Sequence, residues 1–297
     1  MVKNIIRVIL YAIISFYFLS CTIDFLGLFY SSDLDDRLKE KDNFVLLNGV
    51  KKSGESRNWK NLNLGNNNEY SFIVITDTHI QDNNGGKFTK EKENKLRNLK
   101  NVISNNDVKF AVHLGDITQS GNAQEIDLFI EIADSLGVPF YPVIGNHDIY
   151  FGNFNNEWKN KIGSTRYRID GNGSNSSVTL FFMDSANSFF GNDQLDWLER
   201  ELKYTNETVF VFTHAPLFVK GPVDMQQISD TNERARIVSM LRNKCKIMFM
   251  GHLHKDMENV IGNVIYKGAA AFIDDDAYYL VKMNGKNVVS CELKQLN

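Results

Sequence analysis

Residues 72–79 read Phe-Ile-Val-Ile-Thr-Asp-Thr-His, an unbroken apolar run that leads directly to two side chains able to bind a metal ion. The run is too continuously apolar for a strand with one wet face, so we expect a strand buried on both faces. Similar runs recur at residues 110–112, 140–144, 179–183, 208–212 and 247–250. Together they predict the strands of an α/β fold.

Amphipathic segments separate these runs. Apolar residues spaced three and four apart predict helices at residues 90–104, 124–136, 193–203 and 232–242. The chain ends with shorter apolar runs at 264–266, 278–281 and 288–289, interrupted by turns such as Asn284-Gly285. This alternation is typical of antiparallel strands, and we expect the block to close a second sheet.

Composition narrows the possible functions. The 297 residues are 43% hydrophobic and 23% charged, enough for one substantial core or two modest ones. The formal net charge of −3 argues against nucleic acid as a partner, since binding its backbone usually needs a basic face. The three cysteines form no C-x-x-C pair, so we expect no thiolate metal site. Cys245 and Cys291 are interpreted as small residues buried in strands, with a disulfide as the alternative.

The amino terminus has the pattern of a secretory signal. Lys3 and Arg7 precede an apolar run at residues 8–19, which predicts a signal peptide over residues 1–20 and therefore export. The following Cys21 stands in a sequence that resembles a bacterial lipobox, where cleavage would leave a lipid-modified cysteine. An uncleaved membrane anchor is the alternative, because apolar residues continue as far as Tyr30. Asp24 argues against that anchor, since a carboxylate inside hydrocarbon is costly.

Either alternative predicts an extracytoplasmic protein on a membrane tether. We expect residues 21–69 to form a lipid-anchored linker and an entry segment with one strand, and residues 70–297 to form the main domain.

Metal-ligand residue types follow most of the predicted strands. In open α/β sheets, ligands gather at the carboxyl ends of strands. Of six histidines, all except His113 fall at such points, which chance placement does not explain. His113 lies inside the second strand and is interpreted as a structural residue. The candidates at strand ends are Asp77, His79, Asp116, Asn146, His147, His214, His252 and His254.

Five ordered motifs resemble those of the calcineurin-like metallophosphoesterases. Any one of them would be weak, but five in order between residues 72 and 254 are specific. The resemblance implies a four-layer α/β/β/α sandwich of two mixed sheets flanked by helices. The motifs are Asp77-Thr-His79, Gly115-Asp116, Gly145-Asn146-His147-Asp148, Thr213-His214 and Gly251-His252-Leu-His254.

The resemblance also implies a dinuclear metal centre. Asp77, His79 and His254 would hold one ion; Asn146, His214 and His252 would hold the other; and Asp116 would bridge the two. Nitrogen and oxygen donors of this kind suit manganese, iron or zinc, and the sequence does not choose among them. A shared water of lowered pKa would supply a bridging hydroxide as the nucleophile.

Two further residues have implied catalytic roles. His147 would protonate the leaving oxygen or stabilise its developing charge, and Asp148 would orient His147 or a metal ligand. The glycines before the ligands would permit positive φ or close backbone approach. Asp184, Asn187 and Asp193 resemble the family only loosely and are interpreted as structural.

The residues after Asp116 differ from those of two branches of the family, which makes the activities of these branches less expected. Asp116 is followed by Ile-Thr-Gln, without the tyrosine of purple acid phosphatases or the Asp-Arg-Gly of protein phosphatases. We therefore expect a phosphodiesterase or phosphatase for a small phosphate ester, such as a nucleotide or a lipid headgroup. An exported lipoprotein that uses the fold to bind a partner is the alternative. Substrate choice would lie in loops 150–168 and 219–232, where Tyr150, Phe151 and Trp158 either stack on a base or pack on the core.

Overall fold

The computed structural model of the chain describes residues 34–38, 61–81, 86–150, 157–219 and 227–296. The predicted signal peptide and Cys21 lie outside these residues. Within the described ranges, no helix has both the length and the apolar character needed to cross a membrane. The helices are α1 (Leu34–Leu38), α2 (Lys90–Asn105), α3 (Ala123–Ser135), α4 (Lys159–Lys161), α5 (Asn192–Lys203), α6 (Thr231–Leu241) and α7 (Phe272–Asp275), with a 3₁₀ turn at His147–Ile149.

The strands form two mixed sheets. A five-stranded sheet has the order β12-β11-β2-β3-β4, and a seven-stranded sheet has the order β1-β5-β6-β7-β8-β10-β9. Their bounds are β1 (Asn61–Gly65), β2 (Glu69–Ile75), β3 (Val108–His113), β4 (Phe140–Pro142), β5 (Tyr167–Gly173), β6 (Ser177–Phe182), β7 (Thr208–Thr213), β8 (Cys245–Met250), β9 (Met257–Ile261), β10 (Val264–Gly268), β11 (Ala277–Asn284) and β12 (Asn287–Gln295).

The strands predicted from the apolar runs pair in parallel within each sheet, and β1 with β5 and β8 with β10 are further parallel pairs. In the first sheet β2, β3 and β4 run parallel, and in the second sheet β6, β7 and β8 do. The carboxyl ends of each set therefore meet at one edge of its sheet.

One expectation about the end of the chain is wrong in part. β10 joins the second sheet parallel to β8, and only its pairing with β9 is antiparallel. β11 and β12 form an antiparallel hairpin that pairs β11 with β2 of the first sheet. Apolar alternation indicates antiparallel strands, but pairing partners depend on contacts that are distant in sequence.

The four long helices agree with the predicted spans to within one residue at each end. Polar side chains cap three of them, since Thr89, Asn122 and Asp230 accept backbone N–H groups from the first turns of α2, α3 and α6. Each helix turns its apolar side toward a sheet, so burial of that side accounts for its position.

Three apolar clusters separate four layers, which confirms the predicted α/β/β/α architecture. One cluster lies between the first sheet and helices α2 and α3, and another lies between the second sheet and helices α5 and α6. The central cluster fills the space between the sheets and is rich in aromatic rings. There Phe72 stacks on Phe110 at 4.7 Å and meets the edge of Phe210 at 5.2 Å.

A buried ion pair holds the short helix α1 against the second sheet. Arg37 Nε lies 2.7 Å from Asp184 Oδ2, and its Nη2 lies 2.9 Å from Oδ1 of the same carboxylate. The same Nη2 donates to Asn187 Oδ1, and both Arg37 and Asp184 are fully buried. Residues 34–38 are therefore a packed part of the fold, and so is β1, which pairs in parallel with β5.

The cysteines behave as ordinary strand residues. Cys245 and Cys291 are both free thiols, the first buried in β8 and the second half-buried in β12. The interpretation as a small buried residue is confirmed for Cys245, whereas Cys291 is only partly buried, and the two thiols form no disulfide with each other.

Candidate metal centre

The candidate ligands meet where the carboxyl ends of the two sheets face each other. Asp77 and His79 follow β2, Asp116 follows β3, His214 follows β7, and His252 begins the turn after β8. Backbone hydrogen bonds join neighbouring loops, with Asp77 N donating to Gly115 O and Gly251 N donating to His214 O. These bonds fix the loop after β2 to the loop after β3, and the loop after β7 to the loop after β8.

One group consists of Asp77, His79 and His254, whose ligand atoms lie within 4.8 Å of one another. His254 Nε2 is 3.3 Å from Asp77 Oδ1 and 3.4 Å from His79 Nε2. Asp77 is fully buried, and its Oδ1 accepts no hydrogen bond. A bare carboxylate oxygen in a dry site is costly, so this position suits a cation.

A second group surrounds His214. Its Nε2 lies 3.1 Å from both Asn146 Oδ1 and His252 Nδ1, and 3.3 Å from Asp116 Oδ2. Because His214 Nδ1 donates to Leu114 O at 2.9 Å, Nε2 is left with its lone pair facing these atoms. The oxygens of Asn146 and Asp116 carry no hydrogen, so a proton or a cation has to lie between them and the histidine.

Asp116 connects the two groups. Its Oδ2 is 3.3 Å from His214 Nε2 on one side and 3.9 Å from His79 Nε2 on the other. Its second oxygen, Oδ1, accepts the backbone N–H of His147 at 2.8 Å, which fixes the plane of the carboxylate. The Asp116 carboxylate thus lies near a histidine nitrogen of each group.

Several candidates adopt an unusual backbone conformation. A left-handed φ is uncommon in residues other than glycine and often marks a functional site. The residues with positive φ are Asp77 (53°), His79 (45°), Asp116 (50°), His252 (71°) and His254 (55°). The loops direct these side chains into the site, and their backbone is strained in this conformation.

Two glycines make the close approach of these loops possible. A Cβ on Gly145 would lie 2.1 Å from Asp116 N and 2.3 Å from Asp116 Oδ1. Gly115 has φ +98°, and a Cβ there would lie 2.7 Å from His214 Nδ1. The predicted reason for glycine before the ligands is therefore confirmed at both positions.

Electrostatics agree with a site built for cations. Burial alone would lower the pKa of His214, but the Asp116 carboxylate beside it raises that pKa to about 9. Burial would likewise lower the pKa of His254, yet Asp77 and Asp274 raise it to about 9. Burial would raise the pKa of Asp116, but His214 holds it far below its usual range. The buried carboxylates thus favour positive charge beside them, from a proton or from a metal ion.

His147 lies at the open side of the centre. Its Nδ1 donates to Gln119 O at 2.9 Å, and its ring packs edge-on against His79 at 4.6 Å. A ring nitrogen of His147 is within 4.8 Å of ligand atoms of His79 and Asp116, which makes these three a further possible ligand group. This proximity was not predicted from the sequence.

Asp148 is buried beside the ligand loops. Its carboxylate accepts from Gly145 N at 2.9 Å, and from Thr118 N and Oγ1 at 2.9 and 2.8 Å. Burial and the nearby Asp116 raise its pKa to about 7. Asp148 therefore links the loop of Asn146 to the loop of Asp116.

The remaining histidine is structural, as predicted. His113 is fully buried, where its Nδ1 accepts from Gly115 N and its Nε2 bonds to Thr78 Oγ1 at 2.9 Å. Burial lowers its pKa to about 3, so the ring is neutral at physiological pH.

Asp274, which lies in α7 beyond the last motif, was not predicted from the sequence. The segment packs on the first motif, with Ile273 N donating to Asp77 O. Asp274 Oδ2 accepts from His254 Nδ1 at 2.5 Å, and Lys87 donates to its Oδ1 at 2.7 Å. Such a carboxylate fixes the tautomer of a ligating histidine. No sequence signal indicated it, because an acidic pair in a short helix is typical of solvated surface.

The aromatic residues considered for stacking on a base or packing on the core lie in different surroundings. Trp158 is fully buried in the core, whereas the ring of Tyr150 packs against His147 at 4.6 Å. Tyr150 Oη accepts from Asn146 Nδ2 at 3.0 Å. Phe151 lies outside the described residues, as do residues 151–156 and 220–226 of the two loops.

Comparison with known proteins gives relatives with named activities. A probable cyclic nucleotide phosphodiesterase of Fibrobacter succinogenes is 27% identical over 189 residues, covering 62% of this chain and 72% of the relative. A probable glycerophosphodiester phosphodiesterase of Arcobacter nitrofigilis is 27% identical over 220 residues, covering 67% and 77%.

A solved structure shares the fold. The dimetal phosphatase from Danio rerio superposes with a TM-score of 0.56 at 16% identity, covering 77% of this chain and 99% of that protein. Residues 70–256 also match the family described as calcineurin-like phosphoesterase, which is more than half of the chain. The resemblance and the prediction of an enzyme are confirmed, and the chain belongs to the calcineurin-like phosphoesterases, a group of hydrolases.

Proposed function

We propose that the chain hydrolyses phosphodiester bonds of small molecules at a centre that holds two metal ions. The position of Asp116 Oδ2, within 4 Å of a histidine nitrogen from each ligand group, gives the strongest support. The two relatives described above are named as phosphodiesterases, which favours diesters over monoesters.

The residues divide into two ligand sets. Asp77, His79 and His254 form one set, and Asn146, His214 and His252 form the other, with Asp116 shared between them. Manganese, iron or zinc bound there would activate a shared water as nucleophile and neutralise charge on the phosphate. The half-exposed rings of His252 and His254 mark the side open to substrate.

His147 is proposed to protonate the leaving oxygen. With Nδ1 bonded to Gln119 O, its Nε2 is the atom available to donate. Asp148 is proposed as a positioning residue, because its bonds to Gly145 N and Thr118 N hold the loops of Asn146 and Asp116 together.

The test is hydrolysis of bis(p-nitrophenyl) phosphate and p-nitrophenyl phosphate, with manganese and with a chelator. We expect manganese-dependent turnover that favours the diester. Asn146→Ala should lose the activity, whereas Tyr204→Ser, at a residue that is 77% exposed, should keep it. Inactivity of the manganese-loaded protein on both esters would overturn the proposal and favour a partner-binding role.

We further propose that the chain is exported and tethered to a membrane. The charged start, the apolar run at residues 8–19 and Cys21 support this. Incorporation of labelled palmitate into the full chain, and its loss in Cys21→Ser, tests the lipid-anchored form. Membrane retention without label would indicate the uncleaved anchor, and release into the soluble fraction would contradict both.

A further inference from the structure

We propose that Tyr150 is a positioning residue that holds the Asn146 side chain with its oxygen toward the metal centre. This inference rests on the proposed function, because it requires Asn146 to be a metal ligand. It adds a residue that lies outside the ligand motifs.

Asn146 differs from the other proposed ligands because it has an amide. The amide oxygen can bind a cation, whereas the amide nitrogen has no available lone pair. A half-turn of the side chain exchanges the two atoms, so the correct orientation has to be stabilised by the surroundings. Asn146 is 8% exposed, and bulk water therefore contributes little to this choice.

The surroundings provide two different partners. Oδ1 of Asn146 faces His214 Nε2 at 3.1 Å, inside the second ligand group. Nδ2 points the opposite way and donates to Tyr150 Oη at 3.0 Å. When Oδ1 faces a cation, the phenol oxygen satisfies the amide hydrogen that would otherwise be left unpaired.

The local backbone conformation places Tyr150 beside the Asn146 amide. The 3₁₀ turn at His147–Ile149 closes with Ile149 N donating to Asn146 O and Tyr150 N donating to His147 O, each at 3.4 Å. The turn carries the Tyr150 side chain back over Asn146, while its ring packs on His147 at 4.6 Å. The hydroxyl and the ring thus serve different neighbours.

Two substitutions at Tyr150 can therefore distinguish the contact of its hydroxyl from the contact of its ring. Tyr150→Phe removes only the hydroxyl and keeps the ring against His147. Tyr150→Leu removes both contacts. The first should therefore act on the metal set of Asn146 alone, and the second should also disturb His147.

The experiment is calorimetric titration of the metal-free full chain with manganese, followed by thermal unfolding to verify folding. We expect two binding steps in the wild type, one of them weakened about 10- to 100-fold in Tyr150→Phe. Tyr204→Phe, the same chemical change at an exposed site, should leave both steps unchanged. Asp274→Asn should weaken the other step, because Asp274 supports His254 of the first set.

The outcomes separate the two proposals. Two unchanged binding constants in a folded Tyr150→Phe would overturn the role of Tyr150 and leave the dinuclear centre intact. Weakening of the same step by Tyr150→Phe and by Asp274→Asn would also contradict it, since the residues support different sets. A wild type that binds no manganese would overturn both this inference and the proposed function.

Discussion

Asp116 Oδ2 lies 3.3 Å from His214 Nε2, and the two residues are only 2% and 1% exposed. Water is thus almost excluded from a pair formed by a carboxylate and an imidazole. In such a dry site the charge of Asp116 acts strongly on whatever occupies the space beside it.

Asp116→Asn is expected to lower metal content and activity together. The amide keeps the shape but removes the charge that both ligand sets share, so we expect a loss of about 100-fold or more in kcat. Metal content per chain can be measured by elemental analysis. Asp107→Asn, at the opposite end of β3, is the matched control and should retain both. Full metal content and activity in Asp116→Asn would contradict the shared position.

His147→Asn is expected to affect substrates unequally. A cyclic nucleotide releases an alkoxide that needs a proton, so kcat should fall by about 100-fold or more. Bis(p-nitrophenyl) phosphate releases a stabilised phenolate, and its loss should be about tenfold or less. Steady-state kinetics on both substrates checks this. Equal losses would argue for His147 as a ligand, a role that its proximity to His79 and Asp116 permits.

Gly145→Ala is expected to disturb the centre directly. Its added Cβ would lie 2.1 Å from Asp116 N, so one of the two loops has to move. We expect destabilisation of about 1–3 kcal/mol by urea unfolding, together with weaker manganese binding. Gly137→Ala is the control, since no heavy atom lies within 4 Å of its added Cβ, although its φ of +80° adds backbone strain. It should destabilise without changing metal affinity; unaltered affinity in Gly145→Ala would contradict the prediction.

His113 predicts a specific pH dependence of stability. Its pKa is about 3 in the folded protein against 6.5 ordinarily, so between these values the unfolded chain binds a proton that the native chain does not. The free energy of unfolding should therefore rise with pH across this window, by about 1.4 kcal/mol per pH unit for one proton. The same contribution is lost as the pH falls from 6.5 toward 3.

The comparison variant is His113→Asn, which cannot be protonated in this range. The free energy of unfolding of both chelator-treated proteins is measured with urea at several pH values. Its rise with pH should be smaller in the variant, by the amount that corresponds to about one proton. Identical slopes would show that His113 is protonated in the native state.

Arg37→Met should destabilise the fold strongly. The substitution leaves the buried Asp184 carboxylate without the guanidinium that lies 2.7 Å away, and losing one partner of such a pair costs about 3–5 kcal/mol. Urea unfolding measures the change. The double variant Arg37→Met with Asp184→Leu removes both charges and should recover part of the loss. A loss below about 1 kcal/mol in the single variant would contradict a structural role for the ion pair.

Much of the fold was predictable because its strands are apolar on both faces. Continuously apolar runs, such as those around Phe72, Phe210 and Phe249, are expected to be buried between layers. The long helices each show an apolar stripe along one side. The assignment of β11 and β12 to a sheet was not predictable in this way. Their alternation fixes which residues face inward but not which strand they pair with.

Some residues of the site were likewise predictable from the sequence, and others were not. Residues such as Asp77 and His254 stand next to strand ends, where short-range sequence patterns indicate a shared edge. Asp274 and Arg37 act through partners 20 and 147 residues away, and each is of a residue type usually found in solvent. Such contacts follow from the packed structure rather than from any local pattern.

The left-handed backbone at Asp77, His79, Asp116, His252 and His254 limits how this centre can evolve. Aspartate, asparagine, histidine and glycine tolerate that conformation best, whereas branched and bulky side chains are strained in it. Exchange between aspartate and asparagine is therefore the easiest route to a centre of different charge. A change of metal preference should more readily arise from neighbours such as Asp274 and Tyr150, whose backbones have ordinary negative φ.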